Sequence, residues 1–170
     1  MQVSILPVGE VEEEILQELS EGLRGGGLRV TLLPSQKVPS KALNRRRKQY
    51  RGSAFLEMAG RCDGKHVLVV TDVDLYAEPL DFVFGQAEMG GRAAVISLHR
   101  LRSADRGLFL LRVMKEALHE LGHNNDLSHC TDDRCVMRFS NTLEDTDRKG
   151  PGFCGECESR REGGPLWNPS

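Results

Sequence analysis

Three histidines and a glutamate fall within eleven residues, His119-Glu120-Leu121-Gly122-His123 and then His129, with the types and spacing of a metal-ligand set. Imidazole nitrogens bind zinc, and four residues advance a helix by about 400°, which leaves His119 and His123 roughly 40° apart and about 6 Å along the axis. Both can face one ion. Glu120 sits about 100° round from His119, beside the ion rather than on it, where a carboxylate can act as a base on a water. The short pattern alone also occurs as surface histidines on ordinary helices, so His129 is the deciding residue. On a continuing helix it would lie about 15 Å from His119, and it joins the others only if the helix stops after His123 and the chain reverses. Asn124-Asn125-Asp126 supplies that turn, since Asn and Asp are the non-glycine residues that most readily take positive φ. Three imidazoles leave one tetrahedral position open, as in a catalytic zinc.

Cys130, Cys135, Cys154 and Cys157 form two pairs, C-x4-C and C-x2-C, with 18 residues between them. That spacing suits a structural zinc held by four thiolates. The intervening Asp, Thr, Asn, Gly and Pro residues have little to bury, so the metal would contribute folding free energy directly. Two disulfides, or iron in the same sulfur cage, are the alternatives. An odd total of five cysteines with no secretion signal argues against a disulfide framework. A thioredoxin-like role for Cys154 and Cys157 lacks the strand before it and the helix of good formers after it. Cys62 reads as a buried or strand-adjacent thiol. Because Cys130 follows His129 directly, losing the structural metal is expected to loosen the third histidine.

The elements that must position these residues come from the first 123. Gln2 to Val8 reads as a strand, followed by an amphipathic helix with Val11, Ile15, Leu19 and Leu23 on one face and Gly25-Gly26-Gly27 at its end. Leu28 to Leu33 is a second strand, and Gly52 to Ala59 a short helix. His66 to Thr71 is a continuous β-branched run, expected at the centre of a sheet. Phe82 to Gly85 is a short edge-strand candidate, and Ala93 to Leu98 another strand. Leu108 to His123, with Leu111, Met114, Leu118 and Leu121 in an apolar stripe, is the helix that carries the histidines. The order predicts an α/β fold: a mixed, mostly parallel sheet with an antiparallel edge strand, packed on helices. The division expected is a sheet-and-helix subdomain over 1–123, a small zinc-stapled C-terminal subdomain over 124–157 and a flexible tail over 158–170.

Composition excludes several function classes. The 170 residues are 39% hydrophobic and 28% charged with a formal net charge of −2, which suits one globular domain and offers no broad basic field for nucleic acid. The basic run Arg45 to Arg51 is expected to be a solvated face, and Asp72 and Asp74 a polar strand end. No run of about 18 apolar residues would span a bilayer, and no leader is evident, so a cytoplasmic monomer without a membrane partner is expected.

The pattern His119-Glu120-x-x-His123-x-x-Asp126-x-x-His129 resembles the long zinc motif of the metzincin metalloproteases. Cys130, Cys135, Met137, Cys154 and Cys157 resemble the archaemetzincin branch, as do Asp81 to Ala87 and Arg92 to Leu98; the resemblance reaches to about Cys157. It implies a metzincin-like fold and a zinc metalloprotease acting on peptide or protein substrates. It further implies that Met137 forms a Met-turn beneath the ligands, and that the edge strand Phe82, Val83, Phe84, Gly85 and Gln86 pairs with an extended peptide. Metzincins carry glycine where this chain has Asp126, whose carboxylate is expected near the site, able to hydrogen-bond a ligand imidazole or to disfavour a hydroxide there. No tyrosine follows Met137, so oxyanion stabilisation would fall on the metal and backbone donors.

The expected function is a zinc peptidase with Glu120 as general base, two Zn2+ per chain, and a cleft suited to short peptides. Because the first strand opens at Gln2, no inhibitory pro-segment is expected. Two other readings share these residues: a non-catalytic, zinc-stabilised peptide-binding module, and a zinc hydrolase of non-peptide amides. Glu120 favours catalysis over the binding module.

Overall fold

Apolar side chains alternate between two faces along three strands and so define three layers. In the computed structural model, which describes residues 1–160, β1 (Gln2–Val8) lies in parallel between β2 (Arg29–Leu32) and β5 (His66–Thr71). β5 pairs in parallel with β8 (Ala93–Ser97), and β7 (Gly85–Ala87) closes the sheet as an antiparallel edge, giving the order β2-β1-β5-β8-β7. Val3, Ile5, Leu68, Val70, Ala94 and Ile96 pack on one side, and Leu6, Val8, Val67, Val69, Ala93 and Val95 on the other. β5 is therefore central and buried on both faces, as its β-branched run predicts.

The first face is covered by α1 (Glu13–Gly25) and α3 (Arg106–Asn124), the second by α2 (Ser53–Gly60). α3 starts two residues before the expected Leu108 because Asp105 caps it, its carboxylate accepting from the Leu108 N–H at 3.1 Å. Phe109, Val113, Ala117, Leu118 and Leu121 anchor α3 in the core and so fix the histidines one and two turns along.

Three regions differ from the sequence expectations. The basic run forms a hairpin, with β3 (Leu43–Asn44) and β4 (Gln49–Arg51) joined by β6 (Leu75–Tyr76) in a second small sheet. Arg45, Arg46 and Lys48 are exposed there, whereas Arg47 turns inward over the Tyr76 ring and donates to the Leu80 and Asp81 carbonyls. Strands of only two and three residues leave no period-two apolar signal to read.

The edge strand is displaced along the chain. Val83 bridges Leu75 of the small sheet, its N–H donating to the Leu75 carbonyl at 3.0 Å, and β7 proper begins only at Gly85. The apolar run is used elsewhere: Phe82 and Phe84 pack edge to face, and Phe84 enters the main core.

Beyond α3 the chain is not apart from the first core. Leu127, Cys135, Val136, Met137 and Cys157 are buried in the same cluster as α3. Two short helices lie here: α4 (Leu143–Arg148), opened by a Thr142–Asp145 capping box, and α5 (Gly155–Arg160). Of the tail expected from Glu158, the first three residues continue α5, and 161–170 lie outside the described residues. Among the described residues no helix is long and apolar enough to cross a membrane.

Candidate metal centres and active-site cleft

α3 ends where its second histidine needs it to. The Asp126 N–H donates to the His123 carbonyl and the Leu127 N–H to that of Gly122, and Asp126 takes φ 62°. This is the left-handed turn the Asn-Asn-Asp sequence predicts. The helix end is tied to the sheet: Gly90 N–H donates to the His123 carbonyl, and Asn124 Nδ2 to the Glu88 and Ala93 carbonyls. The reversed chain brings the His129 ring to 4.9 Å from that of His123 and 5.3 Å from that of His119.

The imidazoles are oriented for a cation. His119 Nδ1 donates to the Val136 carbonyl at 2.8 Å and His123 Nδ1 to the Leu127 carbonyl at 2.7 Å, which leaves each Nε2 with its lone pair pointing inward. Those two Nε2 atoms are 3.2 Å apart. Two lone pairs so close repel unless a positive charge lies between them. A tetrahedral zinc with Zn–N bonds of about 2.0–2.1 Å sets its nitrogens about 3.3–3.4 Å apart, close to this spacing. Burial lowers the pKa of all three histidines, with the Lys149 ammonium adding to the effect at each, and so keeps the imidazoles neutral for ligation.

Among the described residues the Asp126 carboxylate makes no hydrogen bond to His119 or His123. Backbone carbonyls take the Nδ1 positions of His119 and His123, and Asp126 is exposed, lining a polar recess with His129, Thr131 and Glu156.

Glu120 is 4% exposed and lines the cleft with the three histidines. Burial, then the neighbouring Glu116 carboxylate, pushes its pKa well above the usual carboxylate range, while Lys149 opposes them. A carboxylate raised toward neutrality is a stronger proton acceptor. Its position depends on Gly85. A Cβ at Gly85 would stand 2.5 Å from Glu120 Oε1 and 2.7 Å from Cγ, so only glycine lets the edge of the sheet run this close. Met137 is fully buried, with its Sδ against Gly122 so tightly that no Cβ fits there. That explains the glycine between the two helical histidines.

The four cysteines converge as their spacing predicts. All five cysteines are free thiols, and the sulfurs of Cys130, Cys135, Cys154 and Cys157 lie within 4.8 Å of one another. Cys130 Sγ and Cys154 Sγ are 3.7 Å apart, against roughly 3.8 Å for two ligands of a tetrahedral zinc with 2.3 Å bonds. Burial pushes the Cys135 thiol up to about 11 and raises Cys157 as well, so binding a cation must expel protons. The peptide frame is knit by Cys130 N–H to the Met137 carbonyl, Val136 N–H to Gly152 and Gly150 N–H to Arg134.

Several residues of the site carry no sequence motif. Glu116, Phe139, Ser140 and Asn141 line the cleft, and Lys149, fully buried, pairs with Glu116 at 2.9 Å. Glu116 precedes His119, Glu120 and His123 by three, four and seven residues, so a polar stripe at helical spacing was the available signal. Phe82 and Val83 also line the cleft, although neither belongs to β7.

Comparison with known proteins agrees with this geometry. Residues 11–162 match Peptidase family M54. The chain is 40% identical over 169 residues to the archaemetzincin of Natronomonas pharaonis, covering 93% of this chain and 98% of that one. The crystal structure of archaemetzincin from Archaeoglobus fulgidus, complexed with malonate, superposes with a TM-score of 0.88 at 42% identity, over 94% of this chain and 99% of that one. The archaemetzincin of Methanopyrus kandleri superposes with a TM-score of 0.84 at 39% identity, over 92% and 91%. A helix-borne histidine pair, a third histidine returned by a tight turn and this extent of likeness agree: the chain belongs to Peptidase family M54, the archaemetzincin family of zinc metallopeptidases.

Proposed function

We propose that this peptidase hydrolyses short peptides at the histidine site, with Glu120 as general base, and that the cysteine site holds a second, structural zinc. His119, His123 and His129 would hold the catalytic zinc, which supplies Lewis acidity to the scissile carbonyl and to the attacking water. The Glu120 carboxylate takes a proton from that water and delivers it to the leaving amine. Gly85 keeps the carboxylate in place, and the Val136 and Leu127 carbonyls hold the imidazoles in the ligating tautomer. β7 is the edge of the sheet, so an extended substrate adds to it as a further strand along Gly85 and Gln86, flanked by Phe82, Val83 and Phe84. A cleft of about 280 Å³ suits one side chain and a short backbone segment. Met137 underlies the ligands as the Met-turn.

The observation that carries this reading is the buried Glu120 beside two inward-facing Nε2 atoms 3.2 Å apart. The test is peptide hydrolysis by wild type and Glu120→Ala with zinc measured in both. A loss of roughly 10²- to 10⁴-fold with zinc retained is expected. Equal, metal-insensitive rates would contradict it.

A further inference from the structure

The third histidine is held differently from the other two. His119 and His123 are buried, and a backbone carbonyl accepts from Nδ1 of each. His129 is exposed, and among the described residues neither of its ring nitrogens makes a hydrogen bond to the protein. Apart from the two other imidazoles, the ring it meets is that of Phe139, with centroids 5.0 Å apart and planes inclined by 56°.

Phe139 is itself 44% exposed, so the backbone rather than burial sets its place. The residues before it are tied from several sides. Met137 accepts at its carbonyl from the Cys130 N–H at 3.0 Å, and Arg138 bridges Cys130 in parallel. The Arg138 N–H donates to the Cys135 carbonyl at 3.0 Å and its guanidinium to the Thr131 carbonyl at 3.2 Å, while its own carbonyl accepts from the buried Lys149 Nζ at 3.5 Å. Cys130 follows His129 and Arg138 precedes Phe139, so the two segments are joined one residue from each ring.

An imidazole without a hydrogen bond at its second nitrogen can turn about χ1 and χ2, and each turn takes the ligating nitrogen off the metal. Ordering such a ligand at the moment of binding costs affinity. A ring packed against one face removes those rotamers in advance, as the carbonyls do for the other two histidines.

Resting on the reading of the three histidines as the zinc site, we propose that Phe139 is a positioning residue for the third ligand: its ring holds the His129 imidazole in the ligating orientation, in place of the carbonyl that holds each of the other two.

The test titrates zinc from the histidines with a competing chelator in wild type, Phe139→Ala and Phe139→Trp, and the cysteine zinc serves as the control within each protein. Phe139→Ala should weaken zinc on the histidines by about 10-fold, as loss of an outer partner of a ligand does, and leave the cysteine zinc unchanged. Phe139→Trp keeps an aromatic face and should restore most of the affinity. With cobalt(II) in place of zinc, the visible bands of the histidine site should weaken in Phe139→Ala, while the thiolate-to-cobalt charge-transfer band of the cysteine site stays as in wild type. Equal zinc affinity for wild type and Phe139→Ala, or loss of metal from both sites together, would overturn the proposal and leave the zinc-site reading standing. A wild-type protein that holds no zinc on its histidines would overturn both.

Discussion

Two of the three histidines stand on α3, a helix of 19 residues anchored in the main core, whereas no cysteine of the quartet stands on an element longer than six residues. The histidine site inherits its geometry from packing: Phe109, Val113, Leu118 and Leu121 fix the helix, and backbone carbonyls fix the rings. The cysteine site sits among turns and two short helices, with raised thiol pKa values at Cys135 and Cys157 that a bound cation must overcome. The two sites divide the labour. The histidine site has its shape from the packed helix alone; the cysteine site, set among turns, would gain its shape from a metal. The two meet at the His129–Cys130 peptide, so the third histidine depends on both.

The largest effect is expected at the cysteines. Cys154→Ser should destabilise the segment from Cys130 to Cys157 by at least about 5 kcal/mol, a part of what structural zinc contributes to small domains. His119→Ala should cost far less, about 2 kcal/mol. Thermal unfolding of the two variants beside wild type measures both, and a larger fall for the histidine variant would reverse the division.

A smaller effect sharpens the histidine side. Gly85→Ala places a methyl group where the Glu120 carboxylate now lies, and a displacement of order 1 Å should lower kcat by about 10- to 100-fold. Zinc content and Tm should change little. Unchanged kcat would show that Glu120 does not depend on that approach.

The smallest effect lies between the regions, where Arg112 of α3 grips Asp147 of α4 through two hydrogen bonds of 2.6 and 2.7 Å. The hydrogen bond from Arg112 holds the Asp147 carboxyl below its usual value. Its stabilisation is therefore present above the unfolded carboxylate range, near pH 4, and is lost as pH falls through the depressed folded value. Asp147 is a third exposed, so the contribution is about 1 kcal/mol. Asp147→Asn should be less stable than wild type by about that amount at pH 6, as denaturant unfolding of the two zinc-loaded proteins would show.

The histidine cluster was legible because covalent spacing alone constrains it. Four residues along a helix align His119 with His123, and one positive-φ residue, Asp126, suffices to return His129. The sheet was legible from β-branched runs such as His66 to Thr71. The partners of the imidazoles were not, because Val136 and Leu127 act through carbonyls that every residue has. Nor was the Glu116–Lys149 pair, whose members are 33 positions apart with no spacing that links them. The edge strand was misplaced by three residues because Phe82 and Phe84 look like strand formers but pack into the core and the cleft.

Stepwise removal of zinc tests the division of labour most directly. Chelator is added to fully loaded protein while released zinc, peptide hydrolysis and unfolding are followed together. Two equivalents should be released: the first abolishes hydrolysis and leaves the fold intact, and the second unfolds the segment around the cysteines. Release of a single equivalent, or loss of activity and fold in the same step, would contradict the account.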